Sequence, residues 1–344
     1  MNSAIKDNSE INILVVRRHN QIGDMLCSLP LYSALKMKYP ESSITLVASP
    51  TNYSIPIKKL NPFIDQVIFY DKTSIKTIIN FYKKLREKKY QLGIVPSTVK
   101  ISTTSHIINF LSGAKQRVGV KSIDGVKNHA SVLLNVSADF YWVKNKVHQK
   151  DRNLQIARLA GCQLIDDKEE VRLKISPEDL EFSDKFIELN FPENKKLIIG
   201  FHPGAGKLAN AWSTDNFLSL MEILYNKYNN YILITCGEID KAVIDKIKEG
   251  LIRRGIKFTL AENFSILQLA AVLGKINIYI TNDTGPMHIA AMTNVNQISL
   301  IPDANIYEWA PAGENKYNLK SEPGDINTIK LEDVLALSEK ILLR

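Results

Sequence analysis

A chain of 344 residues is too long for one ordinary hydrophobic core and predicts two domains. Its 45% apolar and 23% charged residues exclude a disordered or fibrous class, and no apolar run nears the roughly 18 residues of a membrane span. The net charge of +8 is unevenly placed: residues 1–150 hold 22 Lys+Arg against 9 Asp+Glu, a balance of +13, while residues 151–344 hold 22 against 27, or −5.

Residues 1–10 are polar and have no apolar signal core, so the expected location is the cytoplasm. A β-branched run from Ile11 to Val16, a polar loop and the periodic stretch Leu26, Leu29, Leu31, Ala34, Leu35 predict strand, loop and helix. Further strands are expected at 44–48, 66–70, 92–95 and 117–120, with helices at 75–85 and 105–111. The cluster Lys83, Lys84, Arg86, Lys88 and Lys89 is either the solvated end of a helix or a surface for phosphate-bearing lipid or nucleic acid. No nucleic-acid-binding motif accompanies it, so nucleic acid is not the expected partner.

Residues 121–147 look polar and irregular, and a helix returns at 151–159. The acidic, lysine-rich stretch 164–194, with Pro177 and Pro192, reads as a connection. A second alternation follows, with strands at 197–201, 231–235, 258–260, 276–280 and 297–300, helices between them, and an amphipathic helix at 331–343. The expected division is therefore 1–163, a connection 164–194, and 195–344, with the C-terminal helix able to pack back on the first domain. Each half is an α/β, doubly wound, Rossmann-like domain, and a cleft between the carboxyl ends of the two sheets is the expected ligand site. Cys27, Cys162 and Cys236 are scattered, which argues for reduced thiols and against structural zinc.

Four constellations fall at carboxyl ends of expected strands. In Gln21-Ile-Gly-Asp24, Asp24 is either a helix N-cap or a general base. In His202-Pro-Gly-Ala-Gly-Lys207, Gly204 and Ala205 lie in a loop whose amides can converge as an anion nest, with Lys207 adding charge; a plain flexible loop is the alternative. Glu238, after the next strand, is a candidate for ribose hydroxyls or a solvated acid. In Thr281-Asn-Asp-Thr-Gly-Pro-Met-His288, Thr284 and Gly285 present helix N-terminal amides to an anion. There Asp283 precedes the helix as an N-cap would, and His288 lies one turn in. Nest and helix end on one sheet edge would bracket a pyrophosphate.

These residues resemble glycosyltransferase family 9, the ADP-heptose lipopolysaccharide heptosyltransferases. The resemblance runs through Ile13-Leu-Val-Val-Arg17, Ile22-Gly-Asp24, Leu29-Pro30, Arg117-Val-Gly119, His148 with Arg152-Asn-Leu154, His202-Pro-Gly-Ala205, Trp212, Asn282-Asp-Thr-Gly-Pro-Met-His288 and Trp309-Ala-Pro311. It implies a GT-B fold, two Rossmann-like domains facing each other across a cleft, with acceptor in the first and ADP-sugar in the second. It also implies metal-independent, inverting transfer with no cofactor. Asp24 becomes the base, Thr284, Gly285 and His288 surround the pyrophosphate, Asp283 lies near the sugar, the Phe264 backbone meets adenine, and Glu238 meets the ribose. Arg17, Arg18 and Arg117 would hold phosphates or sugar acids of an anionic lipid-linked acceptor at an anionic membrane surface. One position departs from the family: Asn210 stands where a lysine is usual, and Lys207 is expected to compensate. A non-catalytic sugar-nucleotide-binding partner in polysaccharide assembly and a two-domain sugar-nucleotide epimerase are the competing readings.

Overall fold

The computed structural model of the chain describes residues 11–18, 21–52, 57–164, 173–193 and 196–343, in two compact units, Met1–Lys174 and Ile175–Arg344. Residues 1–10, and 165–172 and 194–195 of the expected connection, lie outside the described residues.

The first unit runs β1 (Asn12–Val16), α1 (Ile22–Lys38), β2 (Ser43–Ala48), α2 (Ile57–Leu60), β3 (Gln66–Phe69), α3 (Ile75–Leu85) and β4 (Leu92–Val95). It continues through α4 (Thr103–Leu111), β5 (Gln116–Ile123), β6 (Val126–Lys127), β7 (Val136–Phe140) and α5 (Gln149–Leu159). Among the described residues the parallel order is β3-β2-β1-β4-β5, and β5 also pairs β7 in parallel and β6 antiparallel. β1 and β4 are near-continuous apolar runs because helices cover both faces of a parallel sheet. Leu14, Val16, Val47, Ile68, Phe81, Leu85 and Ile108 close the core of one face. α3 starts where it does because Ser74 and Thr77 cap each other: the Thr77 amide donates to Ser74 Oγ at 3.1 Å and the Ser74 amide to Thr77 Oγ1 at 3.2 Å.

The second unit runs α6 (Pro177–Asn190), β8 (Ile198–His202), α7 (Thr214–Tyr228), β9 (Tyr231–Cys236), α8 (Lys241–Arg253), β10 (Thr259–Glu262) and α9 (Ile266–Leu273). Then come β11 (Ile278–Asn282), α10 (Gly285–Ala291), β12 (Asn296–Ile301), α11 (Ile306–Trp309), β13 (Lys316–Lys320) and α12 (Leu331–Leu342). Its described strands are all parallel, in the order β10-β9-β8-β11-β12-β13. Each sheet thus reverses its winding once, between β1 and β4 in the first unit and between β8 and β11 in the second. A crevice opens at such a point because successive connections leave on opposite faces.

Several elements depart from the sequence expectation. Residues 121–147 contain β6 and β7, and β7 shows only a half-buried alternation because it flanks β5 at the sheet margin. β13 was not expected because it opens on Lys316, a charge inside a strand. That lysine is buried, and its ammonium donates to the carbonyls of Ala290, Thr293 and Val295 at the carboxyl end of α10. The stretch 164–194 contains α6, started by the Ser176 cap and Pro177. Its Phe182 and Phe186 pack edge-on against Phe264 with centroids 5.0 Å apart, so α6 belongs to the second unit. α12 likewise completes the second unit's own core through Val334 and Ile341, packed with α7.

Candidate active site

The second sheet's carboxyl edge is built from the loops that follow β8, β9, β10, β11 and β12. After β8, the chain 203–207 crosses the switch point and is held by buried Asn282, the last residue of β11. Asn282 Nδ2 donates to the carbonyls of Pro203 (3.0 Å) and Gly204 (3.2 Å), and its Oδ1 accepts the Trp212 amide at 3.2 Å. One side chain therefore fixes both walls of the crevice. Neither Gly204 nor Gly206 adopts a positive φ, so the loop is not the alternating nest expected from its two glycines. Gly204 is required for a different reason: a Cβ there would lie 2.2 Å from Asp240 Oδ1. Asp240 is buried, accepts the Gly237 amide at 2.9 Å and faces His202 Nε2 at 3.8 Å. His202 is also buried, with Nδ1 against Thr235 O and Oγ1, and burial lowers its pKa despite the opposing pull of Asp240.

After β11 the order of parts differs from expectation. Thr284, not Asp283, occupies the N-cap position of α10, and Gly285 and Pro286 form its first turn. The amides of that turn have no carbonyl one turn back to meet, which leaves them for an anion. Asp283 is half-buried, and its Oδ2 accepts Asn305 Nδ2 at 2.6 Å and Asn210 Nδ2 at 3.3 Å. Desolvation raises its carboxyl pKa; the Asn305 hydrogen bond and the Lys207 charge act in the opposite direction. Asn305, in the loop after β12, was not legible as a site residue: a carboxamide 22 positions away carries no motif. His288 packs edge-to-face on Trp309, with centroids 5.7 Å apart. Ala205 is partly exposed within the β8 loop, and Lys207 is exposed just beyond it.

The next two loops place the remaining donor candidates on the same edge. Glu238 opens the 3-10 turn after β9, and its side chain lies outside what the structure describes. Phe264 follows β10 and precedes the Ser265 cap of α9. Its ring is turned into the Phe182–Phe186 pair, which fixes the backbone of this short loop.

In the first unit, Asp24 sits in the first turn of α1, but Gln21 occupies the N-cap position. The carboxylate of Asp24 turns instead to Arg17, whose Nη2 lies 3.3 Å from Oδ1. Arg17 is only 7% exposed, and its Nη1 also donates to Asn153 Oδ1 (2.9 Å) and to the Pro96 carbonyl (3.4 Å). The residue expected to meet the acceptor thus orients the candidate base. The neighbouring Cys27 thiol is pushed up to about 12 by burial, with the Asp24 charge adding to the shift, so it offers no nucleophile. Arg18 stacks over Tyr70, 5.2 Å from the ring centroid, at the same carboxyl edge. Arg117 does not join them. It lies near the amino end of β5, with Nε and Nη1 donating to the carbonyls of Leu133 (2.7 Å) and Ala114 (2.9 Å) and its guanidinium over Phe110.

The sequence profile of glycosyltransferase family 9 (heptosyltransferase) matches residues 78–336. The chain belongs to this family. As a family 9 protein it is an enzyme that transfers a sugar. A similar curated relative, lipopolysaccharide heptosyltransferase 3 of Escherichia coli K12, is 24% identical, with 93% of this chain and 95% of the relative covered. Among solved structures, a family 9 glycosyltransferase from Veillonella parvula superposes with a TM-score of 0.80 at 18% identity over 99% of both chains. The E. coli ADP-heptose lipopolysaccharide heptosyltransferase II gives 0.78 at 21% identity, covering 97% of this chain and 99% of that one. These likenesses identify the fold as GT-B. Asn210 is a hydrogen-bond donor to Asp283, and Lys207 is the cation whose charge bears on Asp283.

Proposed function

We propose that this family 9 enzyme transfers heptose, or a closely related sugar, from an ADP-sugar to the lipopolysaccharide core or a similar surface glycan, with inversion and without a metal. The observation that carries the reading is the second unit's crevice, where an amide-held Asp283 adjoins the first turn of α10 beside Lys207. Those parts suit a sugar diphosphate: helix amides and a lysine for the pyrophosphate, and a carboxylate for sugar hydroxyls. The choice of ADP-heptose and lipopolysaccharide follows the E. coli relatives, a lipopolysaccharide heptosyltransferase and an ADP-heptose lipopolysaccharide heptosyltransferase.

In the proposed reaction, Asp24 accepts the proton of an acceptor hydroxyl while that oxygen attacks the anomeric carbon on the face opposite the leaving group. The bond from the anomeric carbon to the phosphate oxygen breaks and ADP departs with the electron pair. The amides of Thr284 and Gly285, an N–H of His288 and Lys207 stabilise the charge that develops on it. Arg17, itself held by Asn153, keeps Asp24 in place for its part. The enzyme acts in the cytoplasm, against the inner face of the inner membrane, where a first half at +13 is attracted to anionic lipid.

The test is a donor panel of ADP-heptose, ADP-glucose, UDP-sugars and GDP-sugars against a core acceptor, with the product's anomeric configuration read by NMR. Inverted product from ADP-heptose alone, at a rate unaffected by excess EDTA, is expected. Retained configuration, a preference for UDP-sugars, or a rate that collapses with chelator and returns with Mg²⁺ would each replace the corresponding part of the reading.

A further inference from the structure

Among the described residues, one face of α3 has no partner in its own unit. Phe81 and Leu85 point into the core, whereas Ile75 is 79% and Ile79 49% exposed. A helix turns about 100° per residue, so Ile75, Ile79, Lys83 and Lys76 fall within an outward arc of about 100°. All four are exposed, as are Lys72 just before the helix and Lys84 behind it. Between Lys72 and Lys89 the chain holds seven basic residues and one acidic residue. Two aliphatic anchors one turn apart inside a ring of lysines are costly in water and suit a surface that is apolar beneath and anionic at its rim.

The position of this face ties it to the site. α3 follows β3, so its first turn lies at the carboxyl edge of the sheet, the edge that carries Asp24. Tyr70 links the two: its ring packs edge-on against Phe81 of α3 at 4.9 Å and receives the Arg18 guanidinium at 5.2 Å. Arg18 is thus tied to α3 through Tyr70 and the buried Phe81.

We propose that the outer face of α3 is the membrane-docking surface of this enzyme: Ile75 and Ile79 enter the headgroup layer of an anionic bilayer while Lys72, Lys76 and Lys83 pair with its phosphates. The inference deepens the proposed function by naming how the first unit meets a lipid-borne acceptor, and it rests on that reading. Lysine attraction brings the unit to the surface over about one Debye length, and the isoleucines set its orientation once there.

The experiment compares the full chain with two variants, Ile75→Ser/Ile79→Ser and Lys72→Gln/Lys76→Gln/Lys83→Gln. Each is sedimented with vesicles of phosphatidylethanolamine alone or mixed with phosphatidylglycerol. The unaltered chain is expected to bind the anionic vesicles and leave them at several hundred millimolar salt, and each variant to bind about 10-fold or more weakly. Transfer to a delipidated, soluble acceptor should be the same for all three, which also shows that the variants are folded, whereas transfer to vesicle-borne acceptor should fall with vesicle affinity. Unchanged vesicle affinity in both variants, or equal binding to neutral vesicles, overturns the proposal. So does light scattering in which the variants lose self-association while keeping vesicle binding, since the face would then cover a second copy of the chain. Vesicle affinity is read without turnover, so absence of transfer by the unaltered chain would count against the proposed reaction and leave the docking result standing.

Discussion

Asp24 and Asp283 occupy matching places, each beside the switch point of its own sheet, yet they are held in opposite ways. Asp24 is oriented by a buried guanidinium, whereas Asp283 is held by two neutral carboxamides and feels only the more distant charge of Lys207. A carboxylate against a buried guanidinium is held at a defined angle, which suits a group that must meet one hydroxyl proton. A desolvated carboxylate held by amides serves better as a hydrogen-bonding partner of sugar hydroxyls. In the proposed reaction the two ends would thus be separated by their partners rather than by residue type.

The sharpest way to break that comparison is to exchange the carboxylate for an amide at each place. Asp24→Asn should lower turnover by about 10²-fold or more while ADP binding, measured by calorimetry, stays nearly unchanged; turnover within a few-fold of the parent would remove Asp24 from the base role. The next effect in size concerns the cation near Asp283. Lys207→Ala should weaken donor binding by about 1 to 3 kcal/mol, the scale of a lost charge-assisted hydrogen bond, and Asn210→Lys in that background should recover part of it. An unchanged donor Kd would place the compensating charge elsewhere.

A smaller effect separates Arg17 from Arg117. Because Arg117 donates to two backbone carbonyls at the amino edge, Arg117→Ala should lower stability by about 1 to 2 kcal/mol in denaturant titration and leave the acceptor KM alone. A raised KM at unchanged stability would restore it to the acceptor site. The smallest effect is the pH dependence of Asp283. A raised folded-state pKa means the native chain holds its proton longer than the unfolded one, so the contribution is present below the ordinary carboxylate value of 3.8 and is lost as pH rises through the raised value. The melting temperature of Asp283→Asn should therefore gain on that of the parent as pH rises through this window; a constant difference would show that Asp283 is not desolvated in solution.

Most strands and helices were legible because a sheet covered on both faces writes itself as short apolar runs separated by amphipathic turns. β13 and α6 were not. Lys316 enters a strand only because the end of α10 and the turn after it offer three carbonyls, and α6 is recognisable as part of the second unit only once Phe264 is seen between Phe182 and Phe186. At the site, position along the chain located Asp24, Asp283 and Thr284 at strand ends but not which residue takes the N-cap position of each helix. Both aspartates looked like caps, and the caps are Gln21 and Thr284.

By itself the sequence determined two doubly wound units, the loops that line their carboxyl edges and the family that shares those loops, since all three follow from local patterns of strand, turn and helix start. Partners were decided only by the tertiary structure. Arg17 meets Asn153 across 136 positions, and Asp283 meets Asn210 across 73 positions. Asp240 denies any side chain to position 204, 36 residues before it. The fold sets these encounters by bringing distant loops to one sheet edge, and nothing in the neighbouring residues of either partner encodes them.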